Sequence, residues 1–444
     1  MRTISIAGVI VALAAGSALA QGFGTPPKPA EKPAVAAKPP VAAKPAQAAV
    51  KPSSTPESRS AAALALSSDP VFDEGTFQRI KEALLFYSDI QVRGGWPMLP
   101  ADTKLDPGTS GPYVALLRQR LVISDDMPAE QEAGEAYDAS VVEGVKHFQL
   151  RHGLDATGTV GAQTVKALNV PVGTRIKQLE ASLERLLGMD FIFAERYVVV
   201  NIPAAFVEAV ANGKVERRYR VIVGKIDKPS PTLTASITAV DLNPTWTVPS
   251  SISKTEISAH MRKDPGYLAR MHMEVLDAHD VPVDPRSVDW SGARTPNFTV
   301  RQQSGTWNAL GAVKIDMPNP YSVYMHDTNQ RNLFSEDYRF DSHGCSRVDN
   351  VRDLAAWLLQ EEMPKWNRAA IDAAIAGGQH EDIALPKKVP VAWIYLTAWM
   401  TRDQIVQFRN DIYDQDEQLL EATAEEAAFF SQAGNHPLTA HLAQ

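Results

Sequence analysis

The sequence predicts an α+β chain of several domains, helical in its first half and β-rich in its second. Two patterns carry that prediction. Apolar residues recur at helical spacing as far as Leu187. From Tyr197 onward they run in short β-rich stretches, two of which flank Asn212-Gly213, a pair that tolerates the positive φ angles of a tight hairpin. Size and composition agree: 444 residues, 44% apolar and 22% charged, make an ordinary globular chain with room for more than one core. The formal charge of −8 argues against a polyanion-binding protein, so no nucleic-acid partner is expected. Residues 1–52 nevertheless sum to +5, leaving −13 for the remainder.

Residues 1–20 read as a cleavable export signal. Arg2 supplies the positive end, Ile4 to Ala15 an apolar stretch too short to span a bilayer, and Ala18-Leu19-Ala20 a small-residue cleavage site. Periplasmic location and no integral membrane segment after signal removal are the expectations. Residues 21–66 are a Pro/Ala/Lys tract with little to bury, expected to form an extended spacer. Over 67–104, Phe77, Ile80, Leu84, Leu85 and Tyr87 follow a helical period that Gly94-Gly95-Trp96-Pro97 breaks. Three further helices are expected over 105–170, carrying Leu116, Leu117 and Leu121, then Val141, Val145 and Phe148, then Val165 and Leu168. An amphipathic helix over 172–190 leads into a β-rich region, 191–413, whose strand signal fades between about 249 and 299 into a stretch of Pro, Asp and His. Stretches that long are usually lids or insertions. Helices are expected at 348–360 and 369–376, a buried strand at 391–400, and a fraying acidic helix in the tail, 414–444.

Chemistry is concentrated around Asp341-Ser342-His343-Gly344-Cys345-Ser346-Arg347, whose Cys345 lies nineteen positions after the His326 of Tyr324-Met325-His326-Asp327. Cys345 is the only cysteine, so it cannot form a disulfide within its own chain, and its polar or small neighbours are unlike a core strand. A nucleophilic thiol is the expected role. Histidine is its natural partner, because a nearby imidazolium favours the thiolate. Spacing does not decide between His326 and His343. Gly344 would let the backbone turn so that the Cys345 amide faces an oxyanion, and Arg347 would steady an anion or grip a carboxylate. Ser342 could orient an imidazole. Tyr324, on the His326 face by the period of two, could lend its hydroxyl to the oxyanion.

Residues 105–170, with Phe148-Gln149, Gly153-Leu154, Gly158-Thr159-Val160-Gly161 and Thr164 to Leu168, resemble the type 1 peptidoglycan-binding domain. The cysteine motif with its upstream histidine resembles the L,D-transpeptidases of the YkuD family. Asn243 to Pro249, Gly305 to Gly311, Pro318 to Tyr321 and Phe408 to Tyr413 are similar to the large periplasmic, YcbB-like subgroup. The resemblance implies a β-rich catalytic domain with a capping insertion at about 249–299, preceded by a small three-helix wall-binding domain. It implies Cys345 as nucleophile and His326 as base, completed by His343, Gly344 and Arg347. Tyr324, Trp246, Ser342 and Ser346 are expected around the substrate or the oxyanion. Ser346 departs from the β-branched residue usual at that position, and Asp327 from a common glycine.

The implied reaction is acyl transfer on peptidoglycan stem peptides. A tetrapeptide donor loses D-alanine, a thioester forms, and an acceptor amine resolves it into a 3-3 cross-link. Water or a lipoprotein lysine as acceptor, and a decayed non-catalytic wall-binding protein, are the alternatives. No cofactor is expected. A metal site built from His326, His343, Cys345 and Asp327 is disfavoured because the chain has no CxxC pair. The sequence does not indicate an oligomeric state.

Overall fold

The computed structural model describes residues 68–291, 298–336 and 338–434. The predicted signal and spacer, and the end of the tail, lie outside the described residues. Helix α1 (Thr76–Val92) buries Ile80, Ala83, Tyr87 and Ile90. Leu85, expected on that face, is exposed. Helices α2 (Pro112–Ile123), α3 (Ala139–Arg151) and α4 (Ala162–Leu168) form a small bundle around Leu117, Leu121, Val141, Val145, Phe148, Val165 and Leu168. Proline in the first turn starts α2, and the Asp138 carboxylate caps α3 by accepting from the amides of Ser140 and Val141.

Helix α5 (Val172–Leu187) leads into a nine-stranded sheet. Its first strands are β1 (Arg196–Asn201), β2 (Phe206–Ala211), β3 (Lys214–Gly224) and β4 (Leu233–Leu242). The insertion is not an irregular lid. It contains β5 (Trp246–Thr247), β6 (Met273–Leu276), β7 (Pro282–Val283) and β8 (Thr299–Gln302), ordered β5-β8-β6-β7. A helical run over 250–263, with one π-turn at Ser253–Ile257, packs on this sheet around Val248, Ile257, Met261, Leu268, Val275 and Val300. The strand signal faded here because these strands are two to four residues long.

The main sheet resumes with β9 (Val313–Asp316), β10 (Met325–His326), β11 (Phe340–Ser342) and β12 (Ser346–Val348). Helices α6 (Val351–Leu359) and α7 (Arg368–Gly377) follow, then β13 (Glu381–Ile394), the β14 (Ala398–Met400) and β15 (Val406–Phe408) hairpin, and α8 (Gln415–Gly434). The expected single strand over 391–400 is thus the end of β13 and the start of a hairpin. Strand order is β11-β3-β12-β10-β9-β4-β13-β1-β2, and β2 also pairs with β3.

Register fixes two adjacent rows across this sheet, on opposite faces because side chains alternate. One row runs Ile383, Val240, Ile315, Met325, Ser346 and faces a core that includes α6. The other runs Asp382, Asp241, Lys314, His326, Arg347.

A second core joins the helical region to the main sheet. Ile80, Tyr87, Trp96 and Leu179 pack with Tyr197, Val199, Ile394, Trp399 and Phe408.

Candidate active site

The register that pairs Met325 with Ser346 sets Tyr324 across from Cys345, and the Ser346 amide donates to the Tyr324 carbonyl at 3.1 Å. Alternation along the strand puts Cys345 and Arg347 on the His326 side of the sheet, with Cys345 also packed against the edge of the core. Cys345 is partly exposed. Burial of the sulfur still pushes the thiol up to about 11, against hydrogen bonds from the Tyr324 backbone and hydroxyl and the more distant charges of Arg347 and Lys314. The Tyr324 hydroxyl is held well above the usual phenol range by burial and then by the thiol, while also hydrogen-bonding Trp246 of the insertion.

His326 is buried, and its Nδ1 finds no hydrogen-bond partner in the protein. Burial, followed by the Arg347 charge, holds its pKa down to about 3, so the ring is neutral at physiological pH. The expected thiolate–imidazolium pair is therefore not the resting arrangement, because two charges in so enclosed a place would go unhydrated. Arg347 is held by Gln330 at 2.9 Å. Asp327 braces the strand end behind His326: its carboxylate accepts from the amides of Ala312 and Thr328 and from Arg331. Gly311 is needed opposite, since a Cβ there would lie 2.5 Å from the Asp327 side chain.

The turn that carries Cys345 is tied down by its own hydroxyl. Ser342 Oγ donates to the Cys345 carbonyl at 2.5 Å and accepts from the Gly344 amide at 3.1 Å, so it orients the turn and not an imidazole. Gly344 has φ +110°, a conformation L side chains rarely adopt. Ser230 Oγ donates to the Gly344 carbonyl at 2.8 Å, and the Tyr413 hydroxyl reaches Ser230 and Gly224 behind it. The Phe408 to Tyr413 segment thus ends in a buttress for this turn.

His343 turns away from the sulfur. Its Nε2 lies 2.6 Å from Glu256 in the π-turn of the insertion, and Glu256 also accepts from Lys228 at 3.1 Å. Burial alone would raise the Glu256 pKa, but hydrogen bonds from His343 and Lys228 hold it below the usual range. With Asp327 also engaged elsewhere, His326, His343, Cys345 and Asp327 do not converge on one point. Among the described residues no group of three or more His, Cys, Asp or Glu could hold a metal ion.

Ser346, expected near substrate, is fully buried on the core face, and its hydroxyl has no partner there. An unpaired buried hydroxyl costs about 1–3 kcal/mol. Ser346→Ala is therefore expected to raise the urea midpoint, by about 1 kcal/mol of stability; a lower midpoint would mean the hydroxyl has a partner. Sequence reasoning missed Glu256, Lys228, Ser230, Lys314 and Asp241. Alternating Val313-Lys314-Ile315-Asp316 was the signal available for Lys314.

Residues 195–374 match the YkuD family, described as the L,D-transpeptidase catalytic domain, and residues 110–168 match the family described as "Putative peptidoglycan binding domain". The chain thus carries a YkuD L,D-transpeptidase catalytic domain preceded by a peptidoglycan-binding-type domain. A Haemophilus influenzae protein named "Putative L,D-transpeptidase" is 32% identical over 223 residues, 50% of this chain and 45% of that protein, so the match spans under half the relative's length. Among solved structures, an L,D-transpeptidase from Mycobacterium smegmatis is 17% identical over 45% of this chain and 59% of its own, with a TM-score of 0.24. One from Stackebrandtia nassauensis is 13% identical over 65% and 94%, with a TM-score of 0.26. Superpositions that poor carry no weight beside the family match. The matched segment stops short of β13, which lies between β4 and β1, so the sheet needs residues beyond 374.

Proposed function

We propose that the protein is a cysteine-dependent L,D-transpeptidase that forms 3-3 cross-links between peptidoglycan stems in the periplasm, after removal of residues 1–20. The observation that carries this is the juxtaposition, on one sheet face, of the lone thiol, the Tyr324 hydroxyl and a buried imidazole whose Nδ1 is unpartnered.

In this scheme the thiol proton passes to neutral His326 as Sγ attacks the carbonyl of the third stem residue. The oxyanion is met by the Cys345 amide and the Tyr324 hydroxyl. As the intermediate collapses, the C–N bond to D-alanine breaks and His326 returns the proton to the leaving amine. An acceptor amine then attacks the thioester, gives its proton to His326, and the thiol departs protonated. Resting thiol and imidazole are both neutral, so the proton moves only as substrate charge develops. The insertion, fastened to the catalytic turn through Glu256, is suited to keeping water from the thioester.

Incubation with tetrapeptide-containing muropeptides, followed by mass spectrometry, tests the proposal. Dimers that have lost one D-alanine are the expected product. Tripeptide monomers alone would make the protein an L,D-carboxypeptidase, transfer only to a lipoprotein lysine would make it an anchoring enzyme, and no product would favour a wall-binding protein without catalysis.

A further inference from the structure

Lys314 has no place in that scheme, yet it sits beside it. It pairs with His326 on one side and Asp241 on the other in the polar row. Its ammonium lies 5.3 Å from the centroid of the Tyr324 ring. Two carboxylates hold it there, Asp316 at 2.5 Å and Asp241 at 3.1 Å. Asp316 comes from the same strand and Asp241 from β4. Asp382 of β13 pairs with Asp241, and His380 Nε2 is 4.0 Å from the Asp241 carboxylate. Tyr324 in turn hydrogen-bonds the Cys345 sulfur. A cation over a phenol ring is attracted to it and makes the hydroxyl a stronger donor.

We propose that Lys314 is a positioning residue for the nucleophile: pinned over Tyr324 by Asp241 and Asp316, its charge strengthens the Tyr324 hydrogen bond to Cys345 and so favours the sulfur anion as the proton leaves. This rests on Cys345 being the nucleophile. Two carboxylates touch the ammonium and a third, Asp382, pairs with Asp241 across β13 and β4, so the lysine is fixed in place over the ring. Burial pushes Asp241 up to about 6, with Lys314 opposing the rise and Asp316 and Asp382 adding to it. Burial would lower the Lys314 pKa, but Asp316 and Asp241 keep it above the ordinary lysine range, so the ammonium is charged at pH 8.

Alkylation by iodoacetamide reads one atom here, since the chain has one cysteine. With the thiol near 11, the wild-type rate is expected to climb tenfold per pH unit from pH 7 to 10 without a plateau. In an Asp241→Asn background, Lys314→Gln keeps a donor for Asp316 but loses the charge. It is expected to lower the alkylation rate at pH 8 by about three- to tenfold against Asp241→Asn alone. Lys314→Arg in the same background should restore it. With Tyr324→Phe added, Lys314→Gln should cause a clearly smaller drop, since only the direct pull of the Lys314 charge on the thiol is then lost. Should the glutamine variant unfold, Lys314→Met in the same background is the replacement, with the same expected fall. An unchanged rate on loss of the lysine charge, or an equal drop with and without the Tyr324 hydroxyl, overturns the proposal. The nucleophile assignment is judged separately by whether Cys345→Ala is active on muropeptides, so the two failures cannot be confused.

Discussion

Cys345→Ala is expected to release no D-alanine and form no cross-linked dimer, a fall of roughly 10⁴-fold or more in turnover. No neighbouring group can take over. Ser342 spends its hydroxyl within the turn and Ser346 faces the core, so neither presents an oxygen to a substrate carbonyl. Cys345 is partly exposed, which makes the alanine variant a clean removal: it leaves the Ser342, Ser230 and Tyr413 bonds to the backbone intact. Activity within tenfold of wild type, with the same products, would assign the chemistry to another residue.

The largest effect on stability is expected at Asp126, far from the thiol. Its carboxylate is fully buried and accepts from Arg151 at 2.6 and 2.5 Å, from Ser124 at 2.5 Å, and lies 2.9 Å from His147 Nδ1. Burial alone would raise its pKa, but Arg151, then His147 and Ser124, hold it down to about 2. Asp126→Ala strands the Arg151 guanidinium in a dry site, which costs about 3–5 kcal/mol. A correspondingly lower urea midpoint is the expected result. Removing both charges, with Asp126→Leu and Arg151→Leu together, should recover much of the loss, because what is expensive is the unpaired cation. A small change in the single variant would mean that Tyr87 and the Val406 carbonyl, both 3.2 Å from Arg151, satisfy it alone. The acid dependence has a definite sign. A carboxyl depressed in the folded state adds stability above its unfolded pKa near 3.8, and that contribution is lost as pH falls from there through about 2.

Much of the site could be read from the chain because its cues are local. A lone cysteine among small and polar residues, and Tyr324 and His326 two apart on a strand, need no tertiary knowledge. The inward turn of Ser346 was also available, since a residue between two that face the substrate must face away. What the sequence could not carry was register. Nothing in it says that residue 241 lies beside 314, or 314 beside 326, and so the row containing Lys314 was invisible. The direction of His343 depended on Glu256, 87 positions earlier, in an insertion whose strands were too short to announce themselves.

Phe408 and Val406 belong to the last hairpin of the catalytic region, yet Phe408 packs edge-on against Tyr87 and Val406 accepts from Arg151 of the helical module. Arg409 closes the seam by donating to the Arg151 carbonyl at 3.0 Å, and Gln178 donates to the Arg409 carbonyl at 2.7 Å. The module is therefore a ruler and not a leash: it stands at one span and one angle from the thiol. Cutting it away would bare the greasy underside of that hairpin, so the part the module plays can be probed only by changing its surface side chains, not by shortening the polypeptide.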